Sequence, residues 1–198
     1  VVKSDWNYAS KRMTEIATLM SEMDLHKQIV NRILEPFQWI KVIVTATEWD
    51  NFFKLRLHKD AQPEMMALAE HMKKAMDESI PVELQPGEWH LPYVDLGDFD
   101  DSGYPIPEAI KCSVARCARV SYLNHDNSAP DVAKDIALAD MLLVAGHMSP
   151  FEHIATPMNF AKDTFELAWE NGVTHKDRDN NFWSGNFRGW IQYRQLIG

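Results

Sequence analysis

Apolar residues recur at spacings of three and four from Ser4 to Ser21, through Trp6, Ala9, Met13, Ile16 and Met20, which marks one face of a helix. Ser4 followed by Asp5 reads as its N-cap. A second helical pattern runs from Asp24 to about Phe37 through Leu25, Ile29, Ile33 and Leu34, and Pro36 ends or kinks it. Trp39 to Thr47 is β-branched and aromatic, a short buried strand or a stiff helical continuation. Length and composition do not separate the two. Glu48 to Leu57 reads as a short helix with Trp49, Phe52 and Phe53 inward. Pro63 suits the first turn of the next helix, because it lacks the N–H that position does not need. Met65, Leu68, Met72, Ala75 and Met76 give that helix its apolar face.

The pattern breaks from Pro81 to Pro107. Pro81, Pro86, Pro92, Pro105 and Pro107, with Gly87, Gly97 and Gly103, make a long connector of the kind that tends to carry function. Its acidic cluster, Asp95, Asp98, Asp100 and Asp101, lacks the regular spacing of a calcium loop. Helical spacing returns over Glu108 to Ala118, and Val120 to Leu123 is extended. Asp131 to Ala145 reads as a helix with Val132, Ile136, Leu138 and Leu142 inward. Phe151 to Phe160 alternates weakly, as a strand does, Thr164 to Trp169 is ambiguous, and Thr174 to Asn181 is a polar loop. Ser184 or Asn186 caps a last helix over Phe187 to Leu196, with Phe187, Trp190, Ile191 and Tyr193 as its apolar part.

Composition narrows the class. Apolar residues are 45% and charged residues 25% of the 198, which excludes a disordered, collagen-like or coiled-coil chain. The longest apolar runs, Trp39 to Ala46 and Met141 to Ala145, are core-sized and too short to span a membrane. No signal peptide opens the chain. Cys112 and Cys117 cannot make a disulfide framework, which points to a reducing cytoplasm. A net charge of −9 makes extended nucleic acid a poor partner, while a few arginines still suffice for a local anion pocket.

Four polar groups sit inside otherwise apolar segments, where function tends to break the pattern. Arg32, within Val30 to Leu34, is either a surface arginine or an anion clamp, since guanidinium grips phosphate bidentately. In Thr45 to Arg56, Thr47 and Asn51 are four apart and share a helix face, either as a capping threonine and a solvated asparagine or as a pair suited to hydrogen-bonding a flat heterocycle. Arg56 lies off that face. In Gly146 to His153, Gly146 ends a helix and Pro150 stiffens the turn that presents Ser149 and Glu152. The spacing of His147 and His153 matches neither a helical metal pair nor a zinc knuckle, so no metal site is expected. Asn186 to Arg194 mixes basic and aromatic residues as either a packing helix or a weak nucleic-acid signal. There is no nucleophile elbow, P-loop or dinucleotide fingerprint, and neither cysteine has a catalytic setting.

Together these segments resemble the flavin-dependent thymidylate synthases, the ThyX family, in its longer phage-type form. The stretches that carry the resemblance are Leu25 to Pro36, Thr45 to Arg56 with Ala61–Gln62–Pro63–Glu64, Ala118 to Tyr122, and Gly146 to His153. Their order is reversed relative to the commoner short form, as in a circular permutation. The long form also carries an N-terminal His-Arg, Ser-Arg-Asn and Ser-Ser-Arg stretch that holds flavin and nucleotide phosphate. No such stretch occurs here, and Val1 in place of a methionine suggests a chain that begins after it.

The resemblance implies an α/β (α+β) fold with a mixed or antiparallel sheet flanked by helices, as one catalytic domain over residues 1–198. It implies synthesis of dTMP from dUMP with methylenetetrahydrofolate, FAD and NADPH, in the cytoplasm, by a homotetramer with shared active sites. A second chain supplying the absent motif would complete a split enzyme. Residue by residue, Arg32 matches an arginine near the nucleotide, and Arg56 the arginine set against the uracil. Thr45, Thr47 and Asn51 match flavin-contacting positions, where the short form often carries Asn and Arg in place of the two threonines. Ser121, His147, Ser149 and Glu152 match positions lining the flavin and substrate pocket. Gln192 and Arg194 are candidates for nucleotide contact. Three rivals remain: a pyrimidine hydroxymethylase relative, a non-catalytic or split-enzyme fragment that binds nucleotide or flavin only with a partner chain, and a soluble cytosolic α/β domain with no such function.

Overall fold

The computed structural model describes residues 2–95, 106–120, 127–159 and 169–197. The chain divides into two compact units, Val1–Val42 and Ile43–Gly198.

The first unit is helical. Helix α1 spans Val2–Glu22 and so begins ahead of Ser4, which lies in its first turn and is not the cap. Its inward stripe is Ala9, Met13, Ala17 and Met20, while Trp6 and Ile16 are exposed. Asp24, at φ 58°, turns the chain back. The second helical stretch is shorter than its periodicity predicts. Helix α2 covers Lys27–Arg32, with His26 accepting from the Gln28 N–H at its N-terminus. Pro36 sits in a separate 3-10 turn, Glu35–Phe37, consistent with a ring that fixes φ and donates no hydrogen bond.

Trp39 to Thr47 is neither strand nor helix. Residues 39–46 have no regular structure, and Trp39, Ile40, Val42 and Val44 are exposed. The β-branched composition is there, but among the described residues no strand pairs with it, and an unpaired strand has no ladder to hold it.

In the second unit, α3 (Asp50–Arg56) packs on α4 (Pro63–Glu78). Phe53 is buried in edge contact with Phe52. On α4 the inward stripe is Met65, Met66, Ala69 and Met72, with Leu68 and Met76 outside. Helices α5 (Ile106–Arg119) and α6 (Val132–Val144) form the centre. Ile110, Val114, Ala139, Phe151 and Ile154 bury one another there, flanked by Trp89, Leu142 and Tyr193. Asp131 caps α6 by accepting from the Lys134 N–H. Gly146, at φ 72°, ends it as the sequence predicts.

One charged cluster lies inside this core. Asp135, fully buried on α6, takes Arg116 Nε at 2.9 Å and stands 2.7 Å from Arg119 Nη1. Arg116 Nη1 also donates to the Tyr93 carbonyl at 2.9 Å, and Ser113 Oγ to the Pro92 carbonyl at 2.8 Å. These bonds fasten the 81–95 part of the proline-rich connector onto α5. The remainder of that connector up to residue 105, with Asp98, Asp100 and Asp101, lies outside the described residues, as do Ser121 to Leu123 and residues 160–168.

The sheet differs from the expected one. Among the described residues there are two small antiparallel sheets and no single sheet flanked by helices, so the fold is α+β with helix predominant. Strand β1 (Ala155–Pro157) follows a 3-10 turn, Ser149–His153, and pairs with β5 (Trp190–Gln192) in the register Ala155↔Gln192. Strands β2 (His175–Lys176), β3 (Phe182–Ser184) and β4 (Phe187–Arg188) form the other sheet. The polar stretch 174–181 therefore holds the short strand β2 and then, over 177–181, the loop of a hairpin. Its turn is built by Asp177, whose carboxylate accepts from the backbone N–H groups of Asp179 and Asn181 and from Trp183 Nε1.

The last helix is also corrected. Phe187 to Gln192 is two strands, and only Arg194–Ile197 is helical, as α7. Gly185, at φ 59°, turns the chain between β3 and β4, and a Cβ there would stand 2.7 Å from Gln192 Oε1. Gly189 makes the next left-handed turn. Glycine turns and aromatic residues outweigh the apparent helical spacing. Among the described residues no helix is long and apolar enough to cross a membrane.

Candidate functional site

A cavity of about 360 Å³ opens in the second unit. Its floor is β-structure: Ala155 on β1, Phe187 and Arg188 on β4, and Trp190 on β5. The irregular segment Thr45 to Glu48 forms one wall and His90 another. His90 is held in place by an isolated bridge to Ala155, its N–H donating to the Ala155 carbonyl at 2.8 Å.

Three contacts hold the Thr45 to Glu48 wall. Thr45 Oγ1 and His153 Nδ1 share a hydrogen bond of 3.1 Å whose direction follows the imidazole tautomer. The Arg188 N–H donates to Thr47 Oγ1 at 2.9 Å. Arg188 Nε pairs with Glu48 at 2.7 Å across the rim. That pair is half exposed, so it orders the rim more than it stabilises the fold.

The two histidines hold little charge at neutral pH. Burial lowers the pKa of His90, and the neighbouring His153 lowers it further. Burial likewise lowers His153, against the opposing pull of the Glu152 carboxylate. The lining therefore presents one neutral imidazole, that of His90, two hydroxyls and two aromatic rings, with one cation already neutralised by Glu48, while His153 stands behind Thr45.

Behind His153 lies a polar network that ties the 3-10 turn to β5. Glu152 pairs with Arg194 at 2.7 Å, both about a third exposed. Gln192 is fully buried, and its Nε2 donates to the Glu152 carbonyl at 2.9 Å and to Asn186 Oδ1. Its Oε1 is buried without a partner among the described residues.

The sequence-derived residues divide into three groups. Thr45 and Thr47 line the cavity. Glu152, Gln192 and Arg194 meet in the network behind it. None of the others is among the residues of this lining or this network. Asn51 and Arg56 are exposed on α3, and Thr47 precedes that helix, so Thr47 and Asn51 share no helical face. His147 and Ser149 are exposed in and before the 3-10 turn. Arg32 is exposed in the last turn of α2, in the first unit. Ser121 lies outside the described residues.

Sequence reasoning missed His90, the Glu48–Arg188 pair and the buried Asp135. His90 had a signal, a lone imidazole between Trp89 and Leu91. So had Asp135, an acid on the apolar stripe of α6.

The lining fits part of a flavin. A planar ring system finds hydrogen-bonding edges in Thr45, Thr47 and His90 and apolar faces in Phe187 and Trp190. Its volume lies at the small end of the range for small-molecule pockets. A pyrophosphate arm finds no unneutralised cation in this lining. Among the described residues no three His, Cys, Asp or Glu side chains converge on a common point as metal ligands would. Compared with protein-family models, curated proteins and solved structures, the chain matches none.

Proposed function

We propose that this chain is a flavin-dependent thymidylate synthase subunit of the ThyX kind, acting on dUMP with methylenetetrahydrofolate and NADPH, with the flavin ring in the Thr45–His90–Trp190 cavity. One observation carries the reading. Two of the stretches on which the resemblance rests lie over a hundred positions apart in the chain, yet they touch through Thr45 and His153 at a ring-sized cavity.

Bound FAD supplies hydride transfer, and the protein's share is to bind, orient and exclude water. Thr45 and Thr47 fix the ring edge by hydrogen bonds. Phe187 and Trp190 cover apolar faces and keep water out. The neutral imidazole of His90 presents a donor and an acceptor without placing charge beside an uncharged ring, and that of His153 holds Thr45 in position. Arg56 and Arg32, exposed and free of ion pairs among the described residues, are the guanidiniums this reading assigns to uracil and phosphate. The cytoplasmic homotetramer with shared sites belongs to the same proposal.

A second reading follows from the charge balance of the lining. With Arg188 neutralised by Glu48, phosphate needs cations from elsewhere, as in a split enzyme whose partner chain brings them. The hydroxymethylase variant differs only in product.

The test is to mix the purified chain with FAD, remove the excess, and record the visible flavin band before and after adding dUMP. A retained band perturbed by dUMP supports the proposal. Loss of all flavin, with or without an added partner chain, overturns it. Arg56→Ala then separates chemistry from folding. Turnover of dUMP is expected to fall about 100-fold, as for loss of one charge-stabilising group, while stability moves within about 0.5 kcal/mol, as for an exposed side chain.

A further inference from the structure

The first unit carries its own concavity, of about 430 Å³, formed between α1 and the chain leaving the Glu35–Phe37 turn. Trp6 and Ser10 are four apart on α1 and share a face, with Asn7 beside them. The ring of Trp6 packs on Phe37, centroids 5.1 Å apart and planes tilted by 57°. Gln38 leaves the turn in an extended conformation and sets Trp39 on the opposite lip. Trp39 is fully exposed, an unusual state for the largest apolar side chain.

Two features define what would fit. The side chains of Asn7, Ser10 and Gln38 make no hydrogen bond with any described residue, so two carboxamides and a hydroxyl are free. No charged side chain lines the concavity, so phosphate or carboxylate gains nothing there. Aromatic faces with free carboxamides are the combination that stacks and reads a nucleobase. Carboxamides pair with the adjacent donor and acceptor of adenine in particular.

We propose that this concavity binds an adenine-type base presented as an uncharged nucleoside, stacked on Trp39 and Trp6 and read by Asn7 and Gln38. The site goes beyond the flavin reading: it is built from different residues, and its failure leaves that reading standing.

The experiment titrates the full chain with adenosine and follows tryptophan fluorescence. Saturable quenching is expected. Trp39→Ala is expected to weaken it about tenfold, as loss of one stacking platform does, and Asn7→Ala with Gln38→Ala to weaken it similarly. Far-UV circular dichroism should stay unchanged, because the replaced side chains are exposed. AMP should bind no more tightly than adenosine. The proposal is overturned by absence of saturable quenching or by variants that bind as the wild type does. Tighter binding of AMP or of an oligo-dA strand overturns it in favour of phosphate recognition. A change in solution mass on Trp39→Ala overturns it in favour of a contact between two copies of the chain.

Discussion

Asp135 and Asp140 sit on the same helix, α6, and each pairs with a cation at 2.7 Å. They differ in burial. Asp135 and Arg116 are fully buried and Arg119 nearly so, while Lys111 and Asp140 are 37% and 51% exposed. Replacing each aspartate by asparagine therefore isolates the effect of burial at constant shape. Asp135→Asn keeps the volume, so no cavity term enters. It removes the charge shared by two guanidiniums and turns an amide donor toward donors. Breaking a buried ion pair from one side costs about 3–5 kcal/mol. A urea slope of about 2 kcal/mol/M suits a chain of this size. The midpoint should then fall by about 2 M, against about 0.5 M or less for Asp140→Asn. Far-UV circular dichroism against urea reads both variants. Equal shifts, or an Asp135→Asn shift below about 0.5 M, would refute the view that this buried cluster holds α5 to α6. The same cluster bears on the site. Arg116 also grips the Tyr93 carbonyl, and Tyr93 follows His90 by three residues at a left-handed φ of 63°. Loosening Arg116 should let His90 drift from the cavity wall, so Asp135→Asn should weaken flavin retention even where the protein remains folded.

How legible this was in the sequence depended on length. Helices α1, α4, α5 and α6 each run thirteen residues or more, long enough for several turns of spacing to reveal them. The strands run two or three residues, too short for alternation to register. Their shape comes from the turns between them, and the decisive groups were the Asp177 carboxylate and the glycines 185 and 189. Phe187 to Leu196 looked helical because the apolar residues Phe187, Trp190, Ile191 and Tyr193 happened to fall at spacings of three and four. Trp39 to Thr47 misled in the other direction, since β-propensity without a partner strand forms no strand.

The site followed a similar rule. Thr45 and Thr47 stood out because polar residues interrupted an apolar run, and both line the cavity. Glu152, Gln192 and Arg194 were each singled out, but their meeting is a long-range fact, separated by some forty positions in the chain. His90 escaped because it lies in the connector, whose conformation no periodicity describes. It is placed by one backbone bridge to β1.

Further expectations follow from the buried and titrating groups. Cys112 and Cys117 are both buried, and burial pushes the Cys117 thiol up to about 12. Neither should react with iodoacetamide in the folded protein near pH 8, and rapid labelling there would contradict the core packing of α5. Asp177→Ala should loosen the β2–β3 turn and expose Trp183, read as a red-shifted tryptophan emission, since the carboxylate accepts from the Asp179 and Asn181 N–H groups and from Trp183 Nε1, and only backbone bonds would be left to close the turn. The histidines give the pH dependence. Both His90 and His153 have pKa values below the ordinary 6.5 in the folded protein. As pH falls through 6.5, the unfolded chain takes up these protons first, and the native state does so only lower down. Their contribution is thus fully present above 6.5 and is lost progressively below it. The melting temperature should decline between about pH 7 and 5. His90→Gln, which keeps a polar side chain that never titrates, should flatten part of that decline, and a double replacement with His153→Gln should flatten more. A pH profile unchanged by both substitutions would mean that His90 in the lining and His153 behind it are not buried neutral, and with them would fall the view of this cavity as a seat for an uncharged ring.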